Sequence, residues 1–291
     1  MYPSVAVVYP GRMGSALGRQ LADHGLPVKA SLSGRSSASA DRASAAGLEP
    51  GDDASAITAD LVLSVVPPVE ALPVALRLAD MIGAGPHKPV YVDLNAKSPE
   101  TAAQIETAIA AAGAAFVDGC IIGTVPRPGY DGPWLHLSGP HAPKAAVLGR
   151  HGLNVDVIDG PNGTASALKM CFAGIMKGLT ALGCASTLAA TRSGIAEPLL
   201  HTLERSQPEL WVWFRRQIPA MYPKTWRWIG EMEEIAGYLE EHEGAAMFEG
   251  AARLFAHLSD ESDAAAESVR TLQASFGAPR DIGDGRPAVR Q

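Results

Sequence analysis

The chain has 291 residues, enough for two domains with hydrophobic cores of their own. Hydrophobic residues make up 47% and charged residues 19%, which excludes a disordered polymer. The formal net charge of −7 excludes a broad nucleic-acid surface, although a local basic site for a phosphate stays open.

In chain order, Ser4 to Tyr9 is an apolar, β-branched run of strand length, followed by a helix over Met13 to His24. With no basic region before it and no long apolar stretch within it, this N-terminus is expected to be neither a leader nor a membrane span. Pro27 to Leu32, Ala59 to Val66, Pro89 to Leu94 and Ala114 to Asp118 are predicted strands, with helices over Glu70 to Ile82 and Ser98 to Ala112. Near-continuous apolar strands alternating with helices suit a parallel sheet covered on both faces. Trp134 to Ser138 and Asn154 to Ile158 add two short strands around a helix at Pro143 to Arg150.

Beyond Gly160-Pro161-Asn162-Gly163 the texture changes. Thr164 to Ala190 is apolar on nearly every face, the pattern of a buried helix, and Glu197 to Ala274 has helical periodicity throughout. The expected fold is therefore an α/β Rossmann domain with a doubly wound, mostly parallel sheet, followed by an all-α domain. Its divisions are residues 1–160 for the dinucleotide, 161–276 for substrate and dimer contacts, and a disordered tail over 277–291. Cys120, Cys171 and Cys184 have no ligand-like spacing and the histidines are scattered, so buried thiols in a reducing cytoplasm are expected and no metal.

The first strand runs into Tyr9-Pro10-Gly11-Arg12-Met13-Gly14 and a helix follows. Gly11 and Gly14 fill the second and third places of a dinucleotide fingerprint, where backbone approaches the pyrophosphate and helix packs on strand; Tyr9 stands where the first glycine is expected. At the end of the second strand an NAD site carries an acid for the ribose hydroxyls. Here the chain reads Ser33-Gly34-Arg35-Ser36, with no acid before Asp41. A guanidinium fork and a hydroxyl suit a 2′-phosphate, so Arg35 and Ser36 point to NADP(H).

These motifs resemble those of the β-hydroxyacid dehydrogenases, the group that includes 3-hydroxyisobutyrate dehydrogenase and the cofactor domain of 6-phosphogluconate dehydrogenase. The resemblance covers about residues 4–185. It rests on Gly11-Arg12-Met13-Gly14, Val65-Val66-Pro67-Pro68, Asp93-Leu94-Asn95-Ala96-Lys97-Ser98-Pro99, Asp118-Gly119-Cys120-Ile121-Ile122-Gly123-Thr124 and Gly163-Thr164-Ala165-Ser166-Ala167-Leu168-Lys169. It implies that Val66 and Pro67 lie beside the nicotinamide, that Asn95 orients the nicotinamide ribose or a substrate oxygen, and that Lys169 is the catalytic residue. An Asn95 that caps the helix near Ser98 is the equal alternative from the residues themselves.

Two departures bear on the substrate. The family's carboxylate-gripping Ser-Gly-Gly is here Ile122, Gly123 and Thr124, and its asparagine four residues after the lysine is Ala173. A less polar or differently shaped substrate follows. The segment from Asp118 to Ile122 is also similar to imine reductases, which usually lack the lysine kept here.

Hydride transfer at a carbinol carbon needs a group that takes or gives the hydroxyl proton. Lys169, in an apolar helix, is expected to be buried and its pKa to fall from about 10.4 toward neutrality. Lys177, eight residues on, is a weaker candidate for a substrate-anion contact, with a surface position as the alternative. Asp93 and Asp118 end strands and are not paired as an acid/base couple. Trp211, Trp213, Trp226 and Trp228 are read as helix packing or a dimer interface, with an aromatic lid as the alternative. The acidic stretch from Glu231 to Glu243 is read as a solvated helix face. The expectation is thus an NADP(H)-dependent oxidoreductase acting on a small alcohol or carbonyl compound. It is cytoplasmic, homodimeric through its helical domain, and without nucleic-acid or membrane partners. An NADPH-dependent imine reductase and a non-catalytic NADP(H)-binding protein are the alternatives.

Overall fold

The computed structural model describes residues 3–126, 130, 132–240 and 243–279; residues 241 and 242 of the acidic stretch and 280–291 of the predicted tail lie outside the described residues. The chain divides into two compact units, Met1–Met170 and Cys171–Gln291.

The first unit runs β1 (Val5–Val8), α1 (Arg12–Asp23), β2 (Val28–Ser31), α2 (Ser37–Ala45), β3 (Glu49–Gly51), α3 (Asp53–Ala56), β4 (Leu61–Ser64) and α4 (Pro68–Ala84). It continues with β5 (Val90–Asp93), α5 (Pro99–Ala111), β6 (Ala115–Ile122), β7 (Trp134–Ser138), α6 (Ala142–Ala145), a 3₁₀ turn, β8 (Asn154–Val157) and the start of α7 (Thr164–Arg192). The eight strands lie in the order β3-β2-β1-β4-β5-β6-β7-β8, and all neighbours are parallel except β6 and β7. This is the doubly wound Rossmann sheet expected from the apolar runs.

Burial explains those runs. Every residue of β1 and β4 is buried, because helices cover both faces of the sheet. Leu17 and Leu21 of α1 pack on one face with Val5, Val7 and Leu63. On the other, Val74, Leu78 and Ile82 of α4 join Ile105 and Ile109 of α5 over Val8, Val62 and Tyr91. Each such aliphatic side chain contributes ~1.5–3 kcal/mol when fully buried.

The chain reverses its winding between β1 and β4, so the turns after these two strands flank a crevice at the carboxyl edge of the sheet. That is where open α/β sheets bind their ligands.

Two stretches depart from expectation. Residues 37–56 hold α2, β3 and α3, where no element was expected, and β6 runs on to Ile122 instead of stopping at Asp118. Apart from Asp41 and Arg42, the segment Ser37–Ala45 is serine and alanine with no large apolar side chain, and β3 reads Glu-Pro-Gly at the edge of the sheet, where one side needs no partner.

The second unit continues α7 and adds α8 (Ala196–Ser206), α9 (Pro208–Met221), α10 (Thr225–Tyr238), α11 (Ala245–Ser259) and α12 (Asp263–Phe276). Helix α7 is long and apolar enough to cross a bilayer by length and composition, with mean hydropathy 1.3 over its most apolar window; 44% of that window is buried. Small residues let neighbouring helices approach it: a Cβ on Gly183 would lie 2.6 Å from the Phe214 ring. Trp211 tilts against Phe276 at 5.7 Å between centroids, and Trp228 meets Phe255 edge-on at 5.3 Å. These tryptophans therefore take part in helix packing within the unit. Cys120 and Cys184 are buried, and burial pushes their thiols up to about 11 and about 12. Cys171 is exposed, contrary to expectation, because it lies on the outward side of α7.

Candidate functional site

The turn after β1 brings Gly11, Arg12, Met13 and Gly14 to the N-terminus of α1. Gly11 is the N-cap residue and offers no side-chain hydrogen bond to the first turn, which contains no acid. A Cβ on Gly14 would press on Val7 at 3.2 Å and on Val65 at 3.4 Å, so this glycine serves close packing of helix on strand. A Cβ on Gly11 would meet no protein atom within 4 Å, so packing does not demand glycine there. The open backbone on the positive end of a helix suits a pyrophosphate, and a nicotinamide dinucleotide fits this cradle. Met13 packs half-buried against the core and Arg12 is exposed.

Asn95 has its amide fully engaged. Its Oδ1 accepts from the Val66 backbone at 2.7 Å, and its Nδ2 donates to Ser64 at 2.9 Å and to Asp93 at 3.0 Å. It therefore ties the loop after β4, Val66 and Pro67 included, to the loop after β5. It is not the helix cap: Ser98 is, accepting from the Thr101 backbone at 3.2 Å.

The carboxyl end of β6 carries the densest polar arrangement. β6 pairs with β5 only as far as Asp118 and with β7 from Asp118 to Ile122, so Gly119 to Ile122 overhang β5. Alternate carbonyls along a strand share an edge. Those of Gly119 and Ile121 are met by lysines, Lys97 Nζ at 3.4 Å and Lys169 Nζ at 2.7 Å. The structure thus brings Lys169 to the segment Ile122-Gly123-Thr124. Lys169 is half-buried, less than its apolar sequence neighbours suggested, because Nζ reaches out of α7 to a strand end. Ile122 is half-buried, while Gly123 and Thr124 are exposed. Gly123 has φ 133°, and a Cβ there would lie 2.8 Å from Pro133 Cα, so the loop needs glycine.

Lys97 was assigned no role from the sequence. Fully buried at 1% exposure, it lies 2.9 Å from Asp93 Oδ1 and 2.9 Å from Asp118 Oδ1, and both carboxylates are fully buried. Burial alone would lower its pKa, yet the two carboxylates raise it above the usual lysine value. Burial likewise pushes Asp118 up, but Lys97 and the hydrogen bonds from Ser166 hold it below the usual carboxylate range. Asp118 also accepts from the backbone N–H of Gly163 at 2.9 Å and of Ser166 at 3.0 Å, and from Ser166 Oγ at 2.6 Å. It caps the helix whose next turn carries Lys169, where negative charge meets the positive end of the dipole. A signal existed: Asp93 and Asp118 end neighbouring predicted strands, and Lys97 is the only basic residue between them.

At the β2 end, Arg35 and Ser36 are exposed, and Ser36 is the N-cap residue of α2. Asp53, whose backbone N–H donates to Ser33 Oγ at 3.0 Å, is 6% exposed, and its carboxylate is taken up by Ser31, Tyr9 and Arg77.

Two predicted substrate residues fall in the second unit. Ala173 is buried. Lys177 is neither exposed nor aimed at solvent: it forms an ion pair with Glu231 and lies 5.6 Å over the Trp228 ring. Glu231, whose side chain is 17% exposed, is therefore not part of a solvated face, since it also faces Arg227 at 3.5 Å.

Residues 4–130 match the NAD binding domain of 6-phosphogluconate dehydrogenase, and residues 190–258 match a domain of unknown function, DUF1932. An uncharacterized 28.5 kDa protein of Methanothermus fervidus is 33% identical over 153 residues, spanning 53% of this chain and 57% of that protein. A conserved protein of unknown function, described as structurally similar to 3-hydroxyacid dehydrogenases, is 30% identical with a TM-score of 0.73, covering 91% of this chain and 99% of its own. The Mycobacterium tuberculosis 3-hydroxyisobutyrate dehydrogenase with L-serine shares the fold at 18% identity and a TM-score of 0.69, over 94% of this chain and 100% of its own. The chain belongs to the β-hydroxyacid dehydrogenase-like family, in a branch with a helical C-terminal domain.

Proposed function

We propose that this protein is an NADP(H)-dependent oxidoreductase that interconverts a small carbonyl compound and its alcohol, with Lys169 as general acid/base. The observation that carries the reading is the position of Lys169 Nζ, 2.7 Å from the Ile121 carbonyl and beside Ile122-Gly123-Thr124. A bound nicotinamide would supply hydride to the carbonyl carbon or accept it from the carbinol carbon. Lys169 gives a proton to the carbonyl oxygen during reduction and takes it from the hydroxyl during oxidation. Its bond to a backbone acceptor orients the ammonium, while Asn95 fixes Val66 and with it the loop beside the ring. Gly11 and Gly14 seat the pyrophosphate. Arg35 and Ser36, both exposed at the end of β2, support NADP(H) over NAD(H).

Ile122 offers no polar grip for a substrate carboxylate, which favours a less polar substrate and keeps an imine as the second reading. Lys177 is assigned no substrate contact, since Glu231 already meets its charge. A homodimer through the helical unit is proposed from Phe172, Ile175 and Leu182, exposed at intervals along α7 at 39%, 68% and 61%.

NADPH oxidation with a panel of 3-oxo acids, aliphatic aldehydes and cyclic imines tests the reading. The carbonyl members turn over, and Lys169→Met lowers kcat at least about 100-fold while NADPH affinity stays within about twofold. A variant retaining more than about a tenth of the activity would remove Lys169 from the chemistry. Turnover of imines alone would replace the carbonyl assignment.

A further inference from the structure

At the β2 end of the sheet lies a side-chain cluster that the proton transfer does not use. Tyr9 has φ 48° and is the only non-glycine residue with positive φ among the described residues. That conformation is unfavourable for any residue with a Cβ, so the side chain must offset it. The Tyr9 hydroxyl donates to Asp53 Oδ2 at 3.1 Å and accepts from Arg77 Nη2, while Arg77 Nε donates to the same carboxylate oxygen at 3.1 Å. The other Asp53 oxygen accepts from Ser31 Oγ, at the last residue of β2. Two guanidinium groups gather on the ring: the Arg35 carbon lies 5.7 Å from its centroid and the Arg77 carbon 5.2 Å. The single carboxylate is buried and satisfied, whereas Arg35 is exposed and the Arg77 side chain is 45% exposed. Two cations against one anion leave a net positive charge.

We propose that Tyr9 is a positioning residue for the 2′-phosphate, its ring seating Arg35 while Arg77, braced by Asp53 and the Tyr9 hydroxyl, supplies the second cation. This rests on the NADP(H) reading above and names the residues that enforce it. A phosphate monoester carries a charge of about −1.5 to −2 near neutrality, which one guanidinium does not balance. A long exposed arginine also loses rotamer freedom when it grips an anion. One already resting on an aromatic face has less to lose. NADH, lacking the phosphate, draws on neither effect. A tyrosine where the fingerprint has glycine thus exchanges backbone ease for cofactor choice.

The test uses the full chain and measures dissociation constants for NADPH and NADH, with 2′,5′-ADP against 5′-AMP as a probe of the 2′-phosphate without the nicotinamide half. The variants are Tyr9→Gly, Tyr9→Phe, Arg77→Met and Arg35→Ala. Tyr9→Gly relieves the backbone and retains the fold, which thermal denaturation verifies; Tyr9→Phe keeps the ring and removes only the hydroxyl. The NADPH-over-NADH preference falls about tenfold in Tyr9→Gly and Arg77→Met and about threefold in Tyr9→Phe, and 2′,5′-ADP binding weakens in parallel. If Arg35→Ala abolishes the preference while Tyr9→Gly and Arg77→Met leave it within about twofold of wild type, the role of Tyr9 and Arg77 is overturned and the NADP(H) reading stands. If the wild-type protein binds NADPH and NADH equally, that reading fails and the proposal with it.

Discussion

Two charged clusters sit at the carboxyl edge of the same sheet and are built in opposite ways. Around Tyr9, two guanidinium groups face outward and one carboxylate is buried beneath them. Around Lys97, one ammonium and two carboxylates are all buried, and every charge is spent on the protein's own groups. The first cluster keeps a surplus of positive charge where solvent and ligand can reach it. The second carries a surplus of negative charge that is answered by backbone N–H groups and the start of a helix. Exposure, more than residue type, separates charges available to a ligand from charges that hold the scaffold.

The contrast is broken most severely at Asp118. Asp118→Ala leaves Lys97 with one carboxylate and removes the acceptor for Gly163 and Ser166, so urea denaturation should show a loss of ~3–5 kcal/mol. A loss below ~1 kcal/mol would mean that the buried cluster is not a structural tie. The same cluster predicts the shape of the pH profile. Asp118 has a depressed folded pKa, so its contribution is present above its unfolded value of about 3.9 and is lost as pH falls through the folded value. Lys97 has a raised folded pKa, so its contribution is complete below about 10.4 and is lost as pH rises through the folded value. Denaturation midpoints should be flat between these limbs with respect to both groups, and Asp118→Asn should flatten the acid limb.

At the exposed cluster the expectation reverses. Arg35→Ala should weaken NADPH binding by ~1.5–3 kcal/mol in titration calorimetry, while unfolding stability moves by less than ~0.5 kcal/mol. Equal losses for NADPH and NADH would mean that Arg35 does not read the phosphate. The smallest effect is expected where both partners are exposed. Arg270 and Glu267 are 63% and 69% exposed at 2.6 Å, and Arg270→Ala should shift stability by no more than ~0.5 kcal/mol.

Much of the fold was legible because the sheet is buried on both faces. Runs such as Val5–Val8 and Leu61–Ser64 announce themselves as strands, and Gly14 stands at the helix–strand contact that needs it. The stretch from Ser37 to Ala56 was not legible, since an edge strand of Glu-Pro-Gly and a serine-alanine helix carry no periodic apolar signal. Motif order singled out Lys169, but its half-buried state was not legible, because the acceptor at Ile121 is 48 residues away. Lys97 stayed hidden for the same reason: its meaning depends on Asp93 and Asp118 standing level on adjacent strands, a relation that only the register supplies.

The carboxylate of Asp118 also determines how the chain can be dissected. Gly163 and Ser166 N–H groups close on it, and the Ala165 N–H closes on Ser138 Oγ at 3.0 Å, so residues 163–166 complete the sheet's own polar accounting. A fragment ending at residue 160 keeps a buried acid and discards three of its donors, whereas one ending at residue 170 retains them. Domain exchange, circular permutation or fusion within this family member should therefore cut beyond the first turns of α7, where the modular seam runs through a helix and not through the glycine-rich loop that precedes it.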